Sequence, residues 1–342
     1  MNIKFLLLGL AALAGTSYFL YNLRDQSTDI VSDVEVLTQF LAFKSKFGKN
    51  YASLSELSYR QKIFADTLKR ISAHNSDSTQ TYQLGITKFS DMTAEERKSK
   101  YLVDIPEVNQ DAKCEKSGVS SESTDDDNVV DWVAAKKVQA VKDQADCGSC
   151  WAFATTGALE SAYAIFKNVD VPSISEQELV DCSRSYGNEG CDGGLPSYAF
   201  DYILDHKINT EKAYPYKAVD QKCKSKLYNH GIYTIKGCVR LKQDVKELIK
   251  AIRTQPVSVA FYVQDDFFDY TGGIYNPKSC KGHPNHGVVA VGFDLSDKLP
   301  FFHVKNSWGT EWGEKGFFRV SIGKGKGTCN ICGTDWNYYP TL

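Results

Sequence analysis

Two segments near the start of the chain repeat their apolar residues with the spacing of an α-helix. In residues 33–47, DVEVLTQFLAFKSKF, the apolar side chains predicted on one face are Leu37, Phe40, Leu41 and Phe47. In residues 53–75 they are Leu57, Phe64, Leu68 and Ile71, and a helical ion pair is formed by Glu56 and Arg60. These patterns predict a small helical domain over residues 30–102.

The pattern from Val129 onward changes from helices to strands. CWAFATTGALESAYAIFK predicts a buried helix that begins at Cys150. SEQELVDC predicts a second helix, with Ser175 as N-cap and Glu178 at the capping-box position, and QDVKELIKAIRTQ predicts a third. The later segments PVSVAFYV, HGVVAVGFD, PFFHVKNSW and GFFRVSI have the composition of short strands. Helices before strands favour an α+β class, with a helical half packed on a β half, over residues 128–342.

Two further segments follow neither pattern. Residues 1–22 begin with a charged Lys4 and an apolar run that ends in small residues, which predicts a signal peptide. Because apolar residues continue to Tyr21, an uncleaved signal anchor is the alternative. Residues 103–127 are polar, acidic and rich in serine, which predicts an exposed and cleavable linker.

Composition and charge narrow the class of protein. The 342 residues are enough for two domains, and a net charge of −2 gives a nucleic-acid partner no electrostatic support. All ten cysteines lie at or after Cys114, which indicates an oxidised, exported C-terminal domain.

Cys150 is the first candidate for chemistry, because a helix N-terminus lowers the pKa of a thiol and favours the nucleophilic thiolate. A cysteine nucleophile needs a base and a group that orients the base. His286 precedes a predicted strand and can serve as base, and Asn306 follows the next strand and can accept from the imidazole. Gln144 and the backbone N–H of Cys150 can donate to an oxyanion.

The C-x-x-C spacing of Cys147 and Cys150 also admits other functions. A redox couple requires a thioredoxin-like βαβ pattern, which this segment lacks. A zinc site could use both cysteines with His283 and His286, but it gives the neighbouring glutamine and asparagine no role.

Several motifs, in order, make residues 130–340 resemble the papain-like cysteine proteases, with cathepsin L-like character. The motifs are VDW, QADCGSCWAF, SEQELVDCS, GCDGG, PYK, QPVSVA, GGIY, NHGVVAVGF, KNSWGTEWGEKGF and YYP. The resemblance implies a two-lobed fold, with a helical left lobe, a β-barrel-like right lobe and a cleft between them. It implies no cofactor and no metal.

The resemblance also implies roles for the four candidate residues. Cys150 would be the nucleophile, His286 the general acid and base, Asn306 the orienting group and Gln144 an oxyanion donor. The reaction would be hydrolysis of peptide bonds through a thioester. Cys150 and His286 would rest as a thiolate–imidazolium pair. A catalytically inactive binding homologue is the alternative, but all four positions are intact.

The N-terminal domain resembles the inhibitory propeptides of cathepsin L-type enzymes. The ERFNIN pattern is represented by Glu56, Arg60, Phe64, Thr67, Ile71 and Asn75, and the G-x-N-x-F-x-D pattern by Gly85, Thr87, Phe89 and Asp91. Threonine replaces asparagine once in each pattern. The chain is therefore expected to be a zymogen whose propeptide blocks the cleft until the linker is cut. Once released, the propeptide could also inhibit related proteases.

The resemblance further implies disulfides and a substrate pocket. The implied pairs are Cys147–Cys191, Cys182–Cys223 and Cys280–Cys332. A fourth pair, Cys238–Cys329, is possible. Cys114 would then be free, or paired only before processing. The implied substrate-binding residues are Gly193, Gly194, Leu195, Pro196, Ala260, Asn285 and Trp308. Leu195 and Pro196 favour an apolar side chain two residues before the cut, while the pocket floor could be Asp335, Trp336 or Asn337.

Other expectations concern specificity and partners. No long insertion precedes His286, which favours an endopeptidase. The expected partners are protein and peptide substrates, the chain's own propeptide and cystatin-type inhibitors, and the expected state is a monomer. The expected destination is the secretory pathway, then a lysosome or vacuole, or the outside of the cell. Ala145 stands where the family commonly has glycine, which stiffens the predicted oxyanion loop.

Overall fold

The computed structural model describes residues 33–103, 113–116, 127–224, 226, 230–333 and 336–342. The predicted signal segment and most of the predicted linker lie outside these ranges. The chain divides into two compact units, with the division between Lys69 and Arg70.

The helices and strands follow the predicted order. The helices are α1 (33–47), α2 (Leu54–Asn75), α3 (Ala94–Tyr101), α4 (Cys150–Phe166), α5 (Glu176–Cys182), α6 (Pro196–His206) and α7 (Val245–Thr254). The strands are β1 (Tyr82–Leu84), β2 (Glu115–Lys116), β3 (Val129–Asp131), β4 (Gly237–Arg240), β5 (Val257–Phe261), β6 (Tyr270–Tyr275), β7 (His286–Asp294), β8 (Phe301–Lys305), β9 (Phe317–Ser321) and β10 (Tyr338–Thr341). Within the described ranges, no helix has the length and apolar character needed to cross a membrane.

The first unit is built on an aromatic cluster between α1 and α2. Phe40 and Phe43 lie 5.4 and 5.0 Å from Phe64, measured between ring centroids. The predicted apolar face of α1 is partly wrong, because Leu37 and Leu41 are 43% and 55% exposed. Phe40 and Phe43 are three residues apart, so they share a stripe rotated away from the two leucines.

The second unit has a helical half and a sheet half, as the α+β class predicts. The helical half packs α4, α5 and α6 around one apolar core, and a second core fills the sheet half. The sheet has the order β1-β6-β9-β8-β7-β5-β10-β4-β2, with β3 on β7. Helix α4 packs against β7, which brings the start of this helix to the start of this strand.

Residues 70–103 belong to the second unit because they pair and pack with its sheet half. Strand β1 runs antiparallel to β6. The hydroxyl of Thr87 donates to the carbonyl of Phe268 at 2.9 Å. The fully buried guanidinium of Arg97 contacts the carboxylate of Asp269 at 3.2 Å. A β ladder and a buried ion pair therefore hold this stretch on the sheet half.

The start of α5 matches the predicted cap but not the predicted capping box. Ser175 Oγ accepts from the backbone N–H of Glu178 at 3.1 Å. The Glu178 carboxylate accepts instead from the Tyr202 hydroxyl at 3.0 Å and the Asn209 N–H at 2.8 Å. These residues lie far along the chain, so the tertiary contact replaces the local one.

Two of the disulfides are the pairs that the family resemblance implies, Cys147–Cys191 and Cys182–Cys223. The first closes the segment before α4 onto the loop before α6. The second ties the end of α5 to a surface loop. Both bonds brace the helical half.

The expected Cys280–Cys332 bond is wrong, because Cys280 is bonded to Cys329. The turn at Cys329 has a φ of +50°, and its carbonyl accepts from the Tyr262 N–H at 2.9 Å. This conformation brings Cys329 to Cys280. Cys332 is a free, buried thiol, and burial raises its pKa to about 12.

The possible Cys238–Cys329 bond is also wrong, because Cys238 is bonded to Cys114. Strand β2 pairs in parallel with β4, which brings Cys114 beside Cys238. The Lys113 N–H donates to the Asp201 carboxylate at 3.2 Å. This short part of the predicted linker is therefore attached to β4 by a ladder and a disulfide, and to α6 by a hydrogen bond.

Candidate active site

Cys150 begins α4 and is fully buried at the point where the two halves meet. A methyl group at Gly287 would lie 3.2 Å from the Cys150 carbonyl oxygen, so only a small residue lets β7 approach the helix this closely. Burial raises the pKa of the Cys150 thiol to about 11, although nearby backbone N–H groups, that of Gly287 first, act in the opposite direction.

His286 and Asn306 form a fixed pair across the start of β7 and the end of β8. His286 Nε2 lies 2.8 Å from Asn306 Oδ1. The same Oδ1 accepts from the backbone N–H of Ser307 at 2.8 Å, and this amide can only donate. Oδ1 is therefore an acceptor for both groups, and His286 carries its proton on Nε2. Nδ1 has no hydrogen-bond partner among the described residues and is left as the basic nitrogen.

The indole of Trp308 covers this pair from one side. Its ring centroid lies 4.8 Å from that of His286, and the side chain is fully buried. Burial lowers the pKa of His286 to about 4, opposed by the hydrogen bond to Asn306. Trp308 also packs edge-on against Phe89 at 5.1 Å, so residues of the propeptide stretch cover it.

Both pKa shifts favour neutral groups, whereas the sequence predicts a thiolate–imidazolium pair. Burial penalises each ion separately, and both side chains are fully buried in this covered conformation. The resting ion pair is therefore not favoured while the site is covered.

Gln144 lies fully buried beside the start of α4. Its Nε2 donates to the carbonyl of Cys147 at 3.0 Å and to that of Tyr101 at 3.3 Å. Its Oε1 accepts from the Ser307 hydroxyl at 2.7 Å. The two carbonyls can only accept, so they fix the orientation of the amide with its N–H groups toward residues 101 and 147 and its oxygen toward the Ser307 hydroxyl.

Residues 101–103 pass over this site. The Val103 N–H donates to the carbonyl of Asn285 at 3.0 Å. Its side chain lies 3.4 Å from the position of a methyl group at Gly193, which has a φ of +134°, and 3.0 Å from that of one at Gly148. The chain thus crosses between the loop before α4, the loop before α6 and the start of β7.

The predicted glycine edge and pocket wall lie next to each other at the start of α6. A side chain at Gly194 would overlap the ring of Trp151, so the glycine permits this packing. Leu195 is the N-cap of α6 and Pro196 its first residue, and both are buried.

The sequence leaves three candidates for the pocket floor, and the structure describes two of them, Trp336 and Asn337. Trp336 is buried in the same apolar core as Leu195 and Ala260. Both polar atoms of the Asn337 side chain are hydrogen-bonded to the backbone. Its oxygen accepts from the Ala260 N–H at 3.3 Å, and its nitrogen donates to the Ile331 carbonyl at 2.9 Å. Asp335 lies outside the described residues.

Asn285, predicted to border the pocket, uses its side chain to hold the neighbouring backbone. Its side chain accepts from the Val263 N–H at 2.8 Å and donates to the Val263 carbonyl at 3.1 Å. Its backbone carbonyl, rather than its side chain, faces residues 101–103.

One disulfide contradicts both the redox couple and the zinc site considered for Cys147 and Cys150. Cys147 is joined to Cys191, so it cannot form a couple with Cys150 or ligate a metal. Among the described residues, Cys150 and Cys332 are the free thiols.

Two residues of the site were not predicted from the sequence. Ser307, which orients Gln144, directly follows Asn306, and its hydroxyl was the available signal. Tyr216 contacts both Gln144 and Ser149. It lies in the PYK motif, but its partners could not be inferred because they lie 72 and 67 residues away along the chain.

Ala145, the departure noted in the motif, has a φ of +47°. An alanine methyl group is unfavourable in this left-handed region, where glycine is not. The conformation is held by the Ala145 N–H, which donates to Asp143 Oδ1 at 2.9 Å, and by the Cys147 N–H, which donates to the Ala145 carbonyl at 2.9 Å.

Comparison with known proteins assigns this arrangement to a class. Residues 127–338 match the papain family cysteine protease domain, and residues 40–96 match the cathepsin propeptide inhibitor domain (I29). The chain belongs to the papain family of cysteine proteases, and it is a zymogen with an inhibitor-type propeptide.

Individual known proteins are similar to this chain over most of its length. Pro-cathepsin H of Medicago truncatula is 39% identical over 325 residues, which cover 91% of this chain and 88% of the relative. The thiol protease aleurain of Arabidopsis thaliana is 36% identical over 323 residues, which cover 92% and 86%. The solved structure of digestive procathepsin L2 proteinase from Tenebrio molitor larval midgut has 33% identity and a TM-score of 0.82, and the match covers 90% of this chain and 100% of that one. The predicted papain-like fold is confirmed.

Proposed function

We propose that Cys150 is the nucleophile, His286 the general acid and base, Asn306 the orienting group and Gln144 an oxyanion donor. The observation that carries this proposal is the amide of Gln144, which donates to a peptide carbonyl at the start of α4. A substrate carbonyl in the same place would receive this bond and that of the Cys150 N–H.

The steps follow from the position of the protons. Cys150 Sγ attacks the peptide carbonyl carbon as its proton passes to His286 Nδ1. The oxyanion accepts from Gln144 and the Cys150 N–H. The C–N bond breaks as His286 protonates the leaving amine, which leaves a thioester. Water then attacks the thioester, gives one proton to His286, and the thiol is restored as the acid departs.

The propeptide, proposed to span residues 30–102, blocks this reaction by occupying the oxyanion position with the carbonyl of Tyr101. We place the activating cut in the linker over residues 103–127, with the mature chain starting between about Thr124 and Val129. Removal of residues 101–103 would expose Cys150 and His286 to water and restore their ion pair.

The substrate pocket is proposed to prefer a small or medium apolar side chain two residues before the cut. Leu195, Pro196 and Ala260 would form its walls and Trp336 its floor, since all are apolar and buried. A large indole at the floor leaves less depth than a small residue would. Gly193 and Gly194 would bind substrate backbone, and Trp308 would border the leaving-group side.

The remaining proposals concern the whole enzyme. It would act as an endopeptidase on protein and peptide substrates, be inhibited by cystatin-type proteins and work as a monomer. It would travel the secretory pathway to a lysosome or vacuole, or leave the cell.

The test begins with purified proprotein, acidified with a reductant. Chain size and cleavage of fluorogenic peptides with Val, Leu or Phe before the cut are followed together. Cys150→Ser should abolish turnover. Cys332→Ser is the matched control, because it removes the other free thiol among the described residues, and it should retain activity.

Activity that survives Cys150→Ser would overturn the proposed nucleophile. Activity removed by a zinc-specific chelator would contradict the metal-free chemistry. Release of single residues from one end of a long peptide, without internal cleavage, would contradict the endopeptidase proposal.

A further inference from the structure

The segment from Gln144 to Ser149 contains no helix or strand, yet it must align two donors for one oxyanion. The Gln144 side chain and the Cys150 N–H are six residues apart in sequence, and only Cys150 belongs to α4. The middle of the segment is held by the Cys147–Cys191 bond and by the Gly148 N–H, which donates to the Cys191 carbonyl at 2.9 Å. Its two ends need a different restraint.

The hydroxyl of Tyr216 contacts both ends. It lies 2.8 Å from the carbonyl oxygen of Gln144 and 2.6 Å from Ser149 Oγ. A carbonyl only accepts, so Tyr216 donates its single proton to Gln144. Ser149 must then donate to the Tyr216 oxygen. One phenolic oxygen therefore joins the first and last residues of the segment.

Tyr216 is itself held in place against the first turn of α4. Its ring packs edge-on against Phe153, with 4.9 Å between the ring centroids. Its backbone N–H donates to Glu211 Oε1 at 2.7 Å. Burial raises the pKa of the phenol above its usual range, so the hydroxyl keeps its proton.

The other side of Gln144 is held by the sheet half. Its backbone N–H donates to the Ser307 carbonyl at 2.8 Å, and its Oε1 accepts from the Ser307 hydroxyl. Ser307 thus fixes Gln144 relative to Asn306 and His286. Tyr216 fixes it relative to Ser149 and so to Cys150.

We propose that Tyr216 is a positioning residue for catalysis, which sets the distance between the Gln144 and Cys150 oxyanion donors through its shared hydroxyl. The inference rests on the proposed function, in which Gln144 donates to the oxyanion. Loss of the hydroxyl should impair the stabilisation of the tetrahedral intermediate more than substrate binding or thiol reactivity.

The test is Tyr216→Phe in the full proprotein, activated as above. We expect kcat to fall about tenfold with KM within about twofold, which corresponds to about 1.4 kcal/mol. The Ki of a peptide aldehyde, whose adduct carries an oxygen in the same place, should rise by a similar factor. Alkylation of Cys150 by iodoacetamide should stay within about twofold, because it requires no oxyanion.

Tyr163→Phe is the matched control. The Tyr163 hydroxyl also makes two hydrogen bonds, to the carbonyl and from the N–H of Thr234, at 2.7 and 2.8 Å. It lies 13 residues beyond Cys150 on α4, about 20 Å along the helix. This variant should lose stability and keep its kcat.

Full kcat in Tyr216→Phe would overturn the inference, and so would parallel losses of turnover and alkylation, which indicate a disrupted site. If that variant does not fold, Ser149→Ala removes the other partner, and an unchanged kcat there overturns the inference. A wild type without Cys150-dependent turnover refutes the proposed function instead, whereas an active wild type with an unaffected Tyr216→Phe refutes only this inference.

Discussion

The helical half and the sheet half each hold part of the proposed active site, and they hold it by different means. In the sheet half, His286 opens β7 and pairs with Phe261 of β5, and Asn306 directly follows β8, whose last residue pairs with Val289 of β7, so backbone ladders place both residues. In the helical half, Cys150 opens α4, but Gln144 lies in an irregular segment. A disulfide, side-chain hydrogen bonds and single backbone hydrogen bonds outside any ladder hold that segment.

The difference predicts where single substitutions do most damage. A β ladder consists of many backbone hydrogen bonds, and a side-chain substitution removes none of them. The segment before α4 depends on a few contacts, and one residue in it, Ala145, has an unfavourable backbone conformation. We therefore expect the helical side to be the more easily disturbed.

The greatest change is predicted for the reactivity of Cys150, between the proenzyme and the enzyme from which the propeptide has been removed. In the proenzyme, the pKa of Cys150 is about 11, so its thiolate is scarce at neutral pH and increases about tenfold per pH unit up to that value. Removal of the propeptide should raise the rate of Cys150 alkylation at pH 6 by about a thousandfold, because a thiolate fraction up to about 10⁵-fold larger is partly offset by the weaker nucleophilicity of a low-pKa thiolate. Peptide mass spectrometry measures this rate. Cys332 is the internal control, and its rate should not change, because other residues bury it. Equal rates for Cys150 in both states would contradict this account.

The next largest effect is expected from Gly148→Ala. A methyl group there would overlap the backbone carbonyl of Cys191, which cannot move without shifting the disulfide beside it. We expect kcat/KM to fall at least about 100-fold, the scale of losing an oxyanion donor. Gly237→Ala is the control, since its methyl group would meet only the Thr341 side chain at 3.2 Å. A Gly148→Ala enzyme with nearly normal kcat/KM would show that the segment tolerates displacement.

Asn306→Ala tests the sheet half with the same assay. It removes the acceptor of both the His286 Nε2 proton and the Ser307 N–H, so the imidazole loses its fixed tautomer. We expect kcat to fall between about 10-fold and 100-fold, with KM little changed. Because β7 and β8 stay paired, the melting temperature should fall by only a few degrees. A collapse in stability would mean that the ladder does not hold this half.

Ala145→Gly should have the smallest effect and the opposite sign for stability. Glycine relieves the left-handed φ of +47°, offset in part by a more flexible unfolded chain. We expect a gain of up to about 1 kcal/mol in the free energy of unfolding and kcat within about twofold. Lys136→Gly, at a φ of +58° in an exposed turn, is the matched control. A large loss of kcat in Ala145→Gly would show that the stiffness of alanine is needed for catalysis.

Much of the fold and of the candidate site could be predicted from local sequence patterns. The starts of α4, β7 and the end of β8 follow from local apolar patterns, and these are the places of Cys150, His286 and Asn306. The Cys147–Cys191 and Cys182–Cys223 bonds agree with the family resemblance. The polar groups of Gln144 and the apolar pocket wall could also be identified from residue type and motif.

Other features depend on contacts between distant parts of the chain. The partners of Cys280 and Cys238 were wrongly predicted, because a left-handed turn at Cys329 and the pairing of β2 with β4 bring together cysteines that no local pattern relates. Likewise, a thiolate–imidazolium pair is predicted from the helix position of Cys150 and from the mutual stabilisation of the two ions, whereas burial of both side chains favours their neutral forms.

The class of enzyme, the order of its elements and the four candidate catalytic residues can be predicted from the sequence, because these predictions depend on residue type, motifs and short-range period. Contacts between distant residues are needed to show which nitrogen of His286 carries the proton and that Tyr216 joins Gln144 to Ser149. Hydrogen bonds and burial are properties of atoms brought within a few ångströms, and residues 72 positions apart meet only when the chain has folded.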